Sequence, residues 1–444
     1  MSVGILPFLH GFRLDDAPAQ ARHQAKRCLL DLVGVAAAGS TLAASRIARS
    51  VAGAQFGGTG GTFLFDGRAA SPSGAAFANA TTIDAFDAHD GHPLTKGHAG
   101  CGSLAGLLAF AGDGAEVTGA EALAHLIVGY EVAIRAGISL HATASDYHTT
   151  GAWVCIAVAG IGARMMRLDE VATREALGIA EYYGPRSQMM RCIDHPTMVK
   201  DGSGWGAMTG AMAALLAKEG YTGAPAISVE GDDVAGTWSD LGMRWRIDEQ
   251  YFKAYPVCRW AQPAMEAVAQ LRREHGFASG EIAAITVRTF REASRLATAA
   301  PDTTEGAQYS LPFPVAALLV RGSVGPSEID GAALADPEIL RLSTMIELVD
   351  DPRFSALFPA ERWAEAEIVL ADGRRLVSQP AVARGSAENP LTDAEISEKF
   401  HGLMRAAGLG DRAHEIEERI MTIDTAPSLA PLMAALTAPS GATR

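Results

Sequence analysis

Eight polar side chains crowd into the segment IDAFDAHDGHPLTKGHAGCG, residues 83–102: Asp84, Asp87, His89, Asp90, His92, Thr95, Lys96 and His98. Two chemistries suit such a set. Asp and His at these spacings match the ligands of a divalent cation, and imidazoles exchange protons near neutral pH. The segment has no H-E-x-x-H pattern, and Lys96 is a poor neighbour for a cation. The expectation is therefore a metal-free acid–base loop, broken by Pro93 and its glycines.

Three further clusters follow. SDYHTTGAW, residues 145–153, sets Tyr147 and His148 just before a helix start, where hydroxyls and backbone N–H groups can receive a carboxylate. MVKDGSGWG, residues 198–206, puts Lys200 at a loop-to-helix junction beside apolar residues, where it can lose its proton and act as an acceptor, or stay charged and clamp a carboxylate. YFKAYPVCRWAQP, residues 251–263, carries Lys253, Tyr255, Cys258 and Arg259 at an expected domain boundary, a common place for ligand sites. Cys258 has no Cys–His–acid constellation around it and reads as a small buried hydrophobe. FGGTGGTF, residues 56–63, matches neither a phosphate loop nor a dinucleotide fingerprint, so no nucleotide cofactor is expected.

The elements that must position these groups are mostly helical over the first 260 residues. Apolar residues recur at three and four positions over 21–38, 119–139, 152–166, 170–181 and 203–219. Gly204, Ala207, Ala211 and Ala214 line one face of the last of these, which implies close backbone approach in a core helix. The texture changes near residue 263. EIAAITVRTF reads as a strand, and AEAEIVLADGRRLVSQ (364–379) as two strands joined by an Asp-Gly turn. Helices resume where Thr392 and Glu395 fit a capping box. The expected plan is mainly α with a smaller α+β domain: a helical domain over 1–263 and 396–444, and an α+β lid over 264–395.

Composition narrows the function. A formal net charge of −14 over 444 residues argues against a nucleic-acid or anionic-membrane surface. It also means that an anionic substrate needs a local basic pocket. Five scattered cysteines without a C-x-x-C pair fit a reducing cytosol. The N-terminus does not read as a signal peptide, and charges interrupt the apolar runs, so no membrane span is expected.

The four clusters, in this order, resemble the MmgE/PrpD family, which includes 2-methylcitrate dehydratases, cis-aconitate decarboxylases and iminodisuccinate epimerases. GHAG with His98, YHTTG with His148 and MVKDGSGWG with Lys200 look like its two histidine positions and its lysine. YTGA, KAYPVCRW and AQYSLPFPVA look like further landmarks, so the resemblance spans nearly the whole chain. It implies a homodimer, a helical domain carrying an α+β lid with the active site between them, and catalysis without organic cofactor or required metal. His98, His148 and Lys200 are then the acid–base and carboxylate-binding groups, supported by Asp87 and Thr95. There are departures. The family's Asp-Phe-Asp-Asp-Thr is here Ala85-Phe86-Asp87-Ala88-His89, with His89 or Asp90 as the substitutes. Phe313 stands for a tyrosine, with Tyr309 one turn away, and Gln262 for a histidine.

The chemistry implied is proton transfer at carbon beside a carboxylate of a small polycarboxylic acid. His98 is the expected base, Lys200 the stabiliser of the enolate, and His148 or Tyr147 the acid. Arg259 is expected to hold a distal carboxylate, with His89, Asp90, Thr95, Lys96 and Lys253 as further substrate-binding candidates. A dehydratase leads. An epimerase of a dicarboxylic amino-acid derivative, a cis-aconitate-type decarboxylase and a non-catalytic polycarboxylate binder are the alternatives.

Overall fold

The structure, a computed structural model, describes residues 4–439. Ala- and Leu-rich stretches with apolar residues at three- and four-residue spacing form the helices. The helices used below are, in chain order, α1 (Ala19–Ser40), α2 (Pro72–Asp84), α3 (Ala99–Phe110), α4 (Gly119–Thr143), α5 (Gly151–Met165), α6 (Glu170–Tyr183) and α7 (Ser203–Lys218). After them come α8 (Gln262–His275), α9 (Pro312–Arg321), α10 (Pro337–Met345), α11 (Asp393–Ala406) and α12 (Gly410–Met421). Side-chain caps start several of them. Thr118 and Glu121 form a capping box for α4, Asp169 accepts from Ala172 N at the head of α6, and Thr392 with Glu395 caps α11.

The chain divides into two compact units. The first takes in Met1–Met189, Lys200–Tyr251 and Thr392–Arg444, and the second Met190–Val199 and Phe252–Leu391. Compared with the sequence-derived limits, the boundaries fall at 251/252 and 391/392, and residues 190–199 go with the second unit. Local bonds account for both shifts. Arg259 bonds to the carbonyls of Ala383 and Arg384, and Asp194 pairs with Arg295.

In the first unit α7 packs on α2, α5 and α6, and α5 packs on α3 and α4. Small residues set the spacing. A Cβ on Gly206 would lie 2.4 Å from the Gly151 carbonyl oxygen, so α7 and the start of α5 touch backbone to backbone. α4 is long and apolar enough to cross a membrane by length and composition, but 94% of its most apolar window is buried by neighbouring helices. It is a core helix.

The second unit carries a mixed sheet of five strands: β1 (Ile282–Thr289), β2 (Ile346–Asp350), β3 (Trp363–Leu370), β4 (Arg375–Val377) and β5 (Ala381–Val382). Their order is β2-β1-β3-β4, with β5 also on β3; β1 and β2 run parallel and the other pairs antiparallel. β3 alternates buried and half-buried residues, and α8 covers it. The turn from β3 to β4 uses Gly373 at φ 88°, the left-handed position that glycine fills without strain.

A buried polar network ties the C-terminal helices to the polar loop after α2. Lys399 on α11 donates to Asp31 Oδ1 of α1 (2.5 Å) and to the Ala88 carbonyl (2.6 Å). Beside them Asp90, fully buried, accepts from the Tyr130 hydroxyl and bonds with the Cys28 thiol. Burial first, and then the charge of Asp31, raise the Asp90 carboxyl to about 7. The ammonium bonds to Asp31, and Asp90, beside that pair without a bond to it, is the acid whose carboxyl is raised.

Two outcomes follow from these contacts. Gly206→Ala should destabilise the protein by roughly 1–3 kcal/mol, since a carbonyl oxygen cannot rotate away as a side chain does; an unchanged denaturation midpoint would refute that reading of the helix contact. Asp90 is protonated in the fold up to about pH 7, whereas an unfolded Asp titrates near 4. Between those values the native state binds more protons, so the contribution of Asp90 to stability falls as pH rises. Asp90→Asn should remove a slope of about 1 kcal/mol per pH unit in that window. Denaturation curves from pH 4.5 to 7.5 would show the variant gaining on the parent; a constant difference would refute it.

Candidate active site

The loop between α2 and α3 is folded back on itself. His92 N donates to the Gly97 carbonyl and Lys96 N to the His92 carbonyl, both at 3.0 Å, with Lys96 at φ 53°. The Thr95 hydroxyl closes the same turn on the carbonyls of His92 and Gly97. Gly97 admits no side chain here: a Cβ would meet Thr150 Oγ1 at 2.6 Å and the Trp153 ring at 2.8 Å. Gly91 pairs with Tyr251 through two backbone hydrogen bonds, which anchors the outer limb.

This loop stacks two imidazoles. The rings of His89 and His98 lie 3.9 Å apart and 20° from parallel. His98 Nδ1 is 2.5 Å from the Asp90 carbonyl oxygen. A carbonyl only accepts, so Nδ1 carries the proton and Nε2 is the basic nitrogen. That nitrogen lies 3.8 Å from Asp201 Oδ2. His89 has Asp84 on one side (Nε2 to Oδ1, 3.4 Å) and Asp87 on the other (Nδ1 to Oδ1, 4.0 Å). One ligand atom from each of Asp87, His89 and His98 falls within 4.8 Å of the others. The trio has the donor types of a small transition cation as well as those of a proton relay.

The segment leading into α7 meets this loop. Lys200 (φ 45°) and Gly202 (φ 65°) are both left-handed, which turns Asp201 inward between them. The Thr150 hydroxyl donates to Asp201 Oδ2 at 2.7 Å and accepts from His98 N at 3.1 Å. Gly151 N donates to the Asp201 carbonyl at 3.0 Å. Asp84, the last residue of α2, accepts from Ser203 N at 3.2 Å, a carboxylate at the start of α7 where the helix dipole favours it. Burial raises the Asp84 carboxyl, with the charges of Lys200 and His98 working against the rise. Burial likewise raises Asp201, opposed by His98. Lys200 is itself buried.

The third segment is Tyr147-His148. Lys96 Nζ sits 3.9 Å over the Tyr147 ring, a cation–π contact that joins it to the loop. His148 N donates to His141 Nε2 at 3.1 Å, and His148 Nδ1 lies 2.9 Å from the Asp146 carbonyl. Burial, and then the Lys96 charge, lower His141 to about 4, so it stands as a neutral acceptor.

Asp87, His89 and His98 thus share one cluster with Asp84 and Asp201. Lys200 adjoins it through Asp84, and the Tyr147–His148 segment reaches it through Thr150. Other expected residues have different partners. The Asp90 carboxyl faces Tyr130 and Cys28, and only its carbonyl serves His98. Thr95 holds the turn. His92 bonds to Glu249 at 3.3 Å. In the second unit Arg259, expected to grip a carboxylate, donates to the carbonyls of Phe252, Ala383 and Arg384 and to Gln262 Oε1. Lys253 and Cys258 are buried in that unit, and the other four cysteines are buried as well. Sequence reasoning missed Asp201, Thr150 and His141. Asp201 had a signal, as an acid next to Lys200, whereas Thr150 and His141 had none of their own.

The model for the MmgE/PrpD N-terminal domain matches residues 4–239, which hold every member of this cluster, and that for the MmgE/PrpD C-terminal domain matches residues 255–424. A cis-aconitate decarboxylase-like protein of Aspergillus oryzae, oryM, is 24% identical over 467 aligned residues, covering 94% of this chain and 93% of the relative. Two domain matches in the right order, spanning a buried imidazole–carboxylate cluster and the sheet unit after it, establish that the chain belongs to the MmgE/PrpD family.

Proposed function

We propose that this chain is a cofactor-independent acid–base enzyme acting on carbon beside a carboxylate of a small polycarboxylic acid, with dehydration as its reaction. The observation that carries this reading is the fixed tautomer of His98, whose Nδ1 is held by the Asp90 carbonyl while Nε2 is basic. In the proposed step Nε2 takes the proton from carbon, and the electron pair moves into the adjoining carboxylate as an enolate-like anion. The Lys200 ammonium offsets that charge. Collapse of the anion forms the carbon–carbon double bond and expels hydroxide, which Tyr147 or His148 protonates to water. Asp87, His89 and Asp201 hold the charge balance around His98. Lys96 and Lys253 remain the candidates for distal carboxylates, whereas Asp90, Thr95 and Arg259 are assigned to shaping backbone.

Decarboxylation is the second reading, favoured by the name of the Aspergillus oryzae relative. It uses the same His98, now as donor of a proton to the carbanion left by carbon dioxide. We also read the enzyme as a cytoplasmic homodimer. The compartment fits five buried cysteines outside any disulfide, and the assembly fits the family resemblance.

Incubation of the protein with a panel of polycarboxylates in deuterated water tests the reaction. A conjugated product absorbing in the ultraviolet marks a dehydratase, carbon dioxide a decarboxylase, and deuterium uptake without net loss an epimerase. Binding without turnover marks a non-catalytic protein. His98→Gln should lower kcat by about 10²–10⁴-fold with the fold intact by circular dichroism; undiminished turnover would end the proposal. Activity should also survive exhaustive chelation. Loss restored by added cation would assign Asp87, His89 and His98 to metal ligation instead.

A further inference from the structure

A second group of ligating side chains lies away from the cluster, on the hairpin of α11 and α12. His401 is on α11, and His414 and Glu417 are three residues apart on α12, hence on one face. One ligand atom of each lies within 4.8 Å of the other two. We propose that His401, His414 and Glu417 form a solvent-accessible site for a divalent cation of the zinc class, clasping α11 to α12.

The donor set selects the cation. Two imidazoles and one carboxylate, leaving a fourth position for water, suit tetrahedral Zn²⁺ or Co²⁺, whereas Mg²⁺ and Ca²⁺ take oxygen shells. The distances are close to what is needed. Ligand bonds of 2.0–2.1 Å imply edges of about 3.4 Å between ligand atoms in a tetrahedron. His401 Nε2 and Glu417 Oε2 are 2.7 Å apart, so that edge opens by about 0.7 Å from the tetrahedral value while exposed His414 swings in. The two rings of His401 and His414 already lie 4.5 Å apart, centre to centre.

The surroundings are those of an oriented site. The Ser397 side chain bonds to Glu417, and the Phe400 ring meets His401 edge-on at 5.4 Å. The turn joining the helices, with Gly408 at φ 72°, keeps the two faces opposed before any ion is present. Such a clasp would stiffen the helix that bears Lys399, two residues from His401, which holds the Ala88 carbonyl.

Titration of the metal-stripped full chain with Co²⁺, followed by visible absorption, tests the site. One equivalent should give the intense bands of tetrahedral Co²⁺, and Zn²⁺ should displace it and raise the melting temperature. His414→Ala should weaken Co²⁺ binding at least about tenfold and abolish the thermal shift while turnover stays unchanged. Glu417→Gln, which keeps the side-chain size, should weaken it likewise. The absence of a Co²⁺ spectrum would overturn the proposal. So would parental affinity in both variants, or loss of binding in His89→Gln alone, which would put the cation in the loop after α2.

Discussion

One hydroxyl joins the three chemical segments of the first unit. Thr150 donates to the Asp201 carboxyl and accepts from the His98 backbone N–H, so residues 52 behind it and 51 ahead of it meet on a single oxygen. All three are buried, and a buried polar atom left without a partner costs more than a hydrogen bond returns. The arrangement therefore holds as a set. The left-handed backbone at Lys200 belongs to the same constraint, because a non-glycine residue tolerates that conformation only where its surroundings over-determine it. Rotating Asp201 inward is what that conformation achieves.

The same burial addresses the electrostatic problem set by a net charge of −14. Asp84, Asp87 and Asp201 stand around two imidazoles, with Lys200 close to Asp84. Three ionised carboxylates would repel the polycarboxylate proposed above. Burial raises Asp84 and Asp201, which lessens the negative charge in the cluster without importing further bases. What looks in sequence like an acidic loop hostile to an acid is, once folded, a site whose charge can be neutralised by protons. Such protonation would ease the approach of the acid proposed above to the imidazole and ammonium groups.

Features governed by local rules were legible in the sequence. The capping box at Thr392–Glu395, the acidic head of α6, the Asp372-Gly373 turn and the small-residue face of α7 each depend on residues a few positions apart. The mainly α plan with an α+β part follows from those same signals. Within the cluster His98 and Lys200 were legible because they sit in dense polar runs. Thr150 and His141 were not, since each is one polar residue whose meaning comes from a partner in another segment. The two roles of Asp90 were hidden for a related reason. Adjacent residues in a loop can face opposite sides, and its carboxyl turns to Tyr130 of α4 while its carbonyl turns to His98. Arg259 bonds to backbone carbonyls of its own unit, a use that a guanidinium near a boundary has as well as ligand binding. Composition cannot distinguish those uses.

The route of the chain adds a final constraint. Lys399 reaches the Ala88 carbonyl across a separation of 311 residues, so the loop bearing His89 and His98 acquires one of its anchors only when α11 is in place. The second unit is thus inserted within the first, and the last stretch of chain completes what the first hundred residues begin. Long-range contacts of this kind are reached late, because loop closure must be met before the contact returns free energy. A chain ending before α11 would leave Asp31 buried without its ammonium, a larger penalty than the loss of one surface pair. The C-terminal helices therefore belong to the structure of the polar loop after α2, although none of their residues stands in the imidazole–carboxylate cluster.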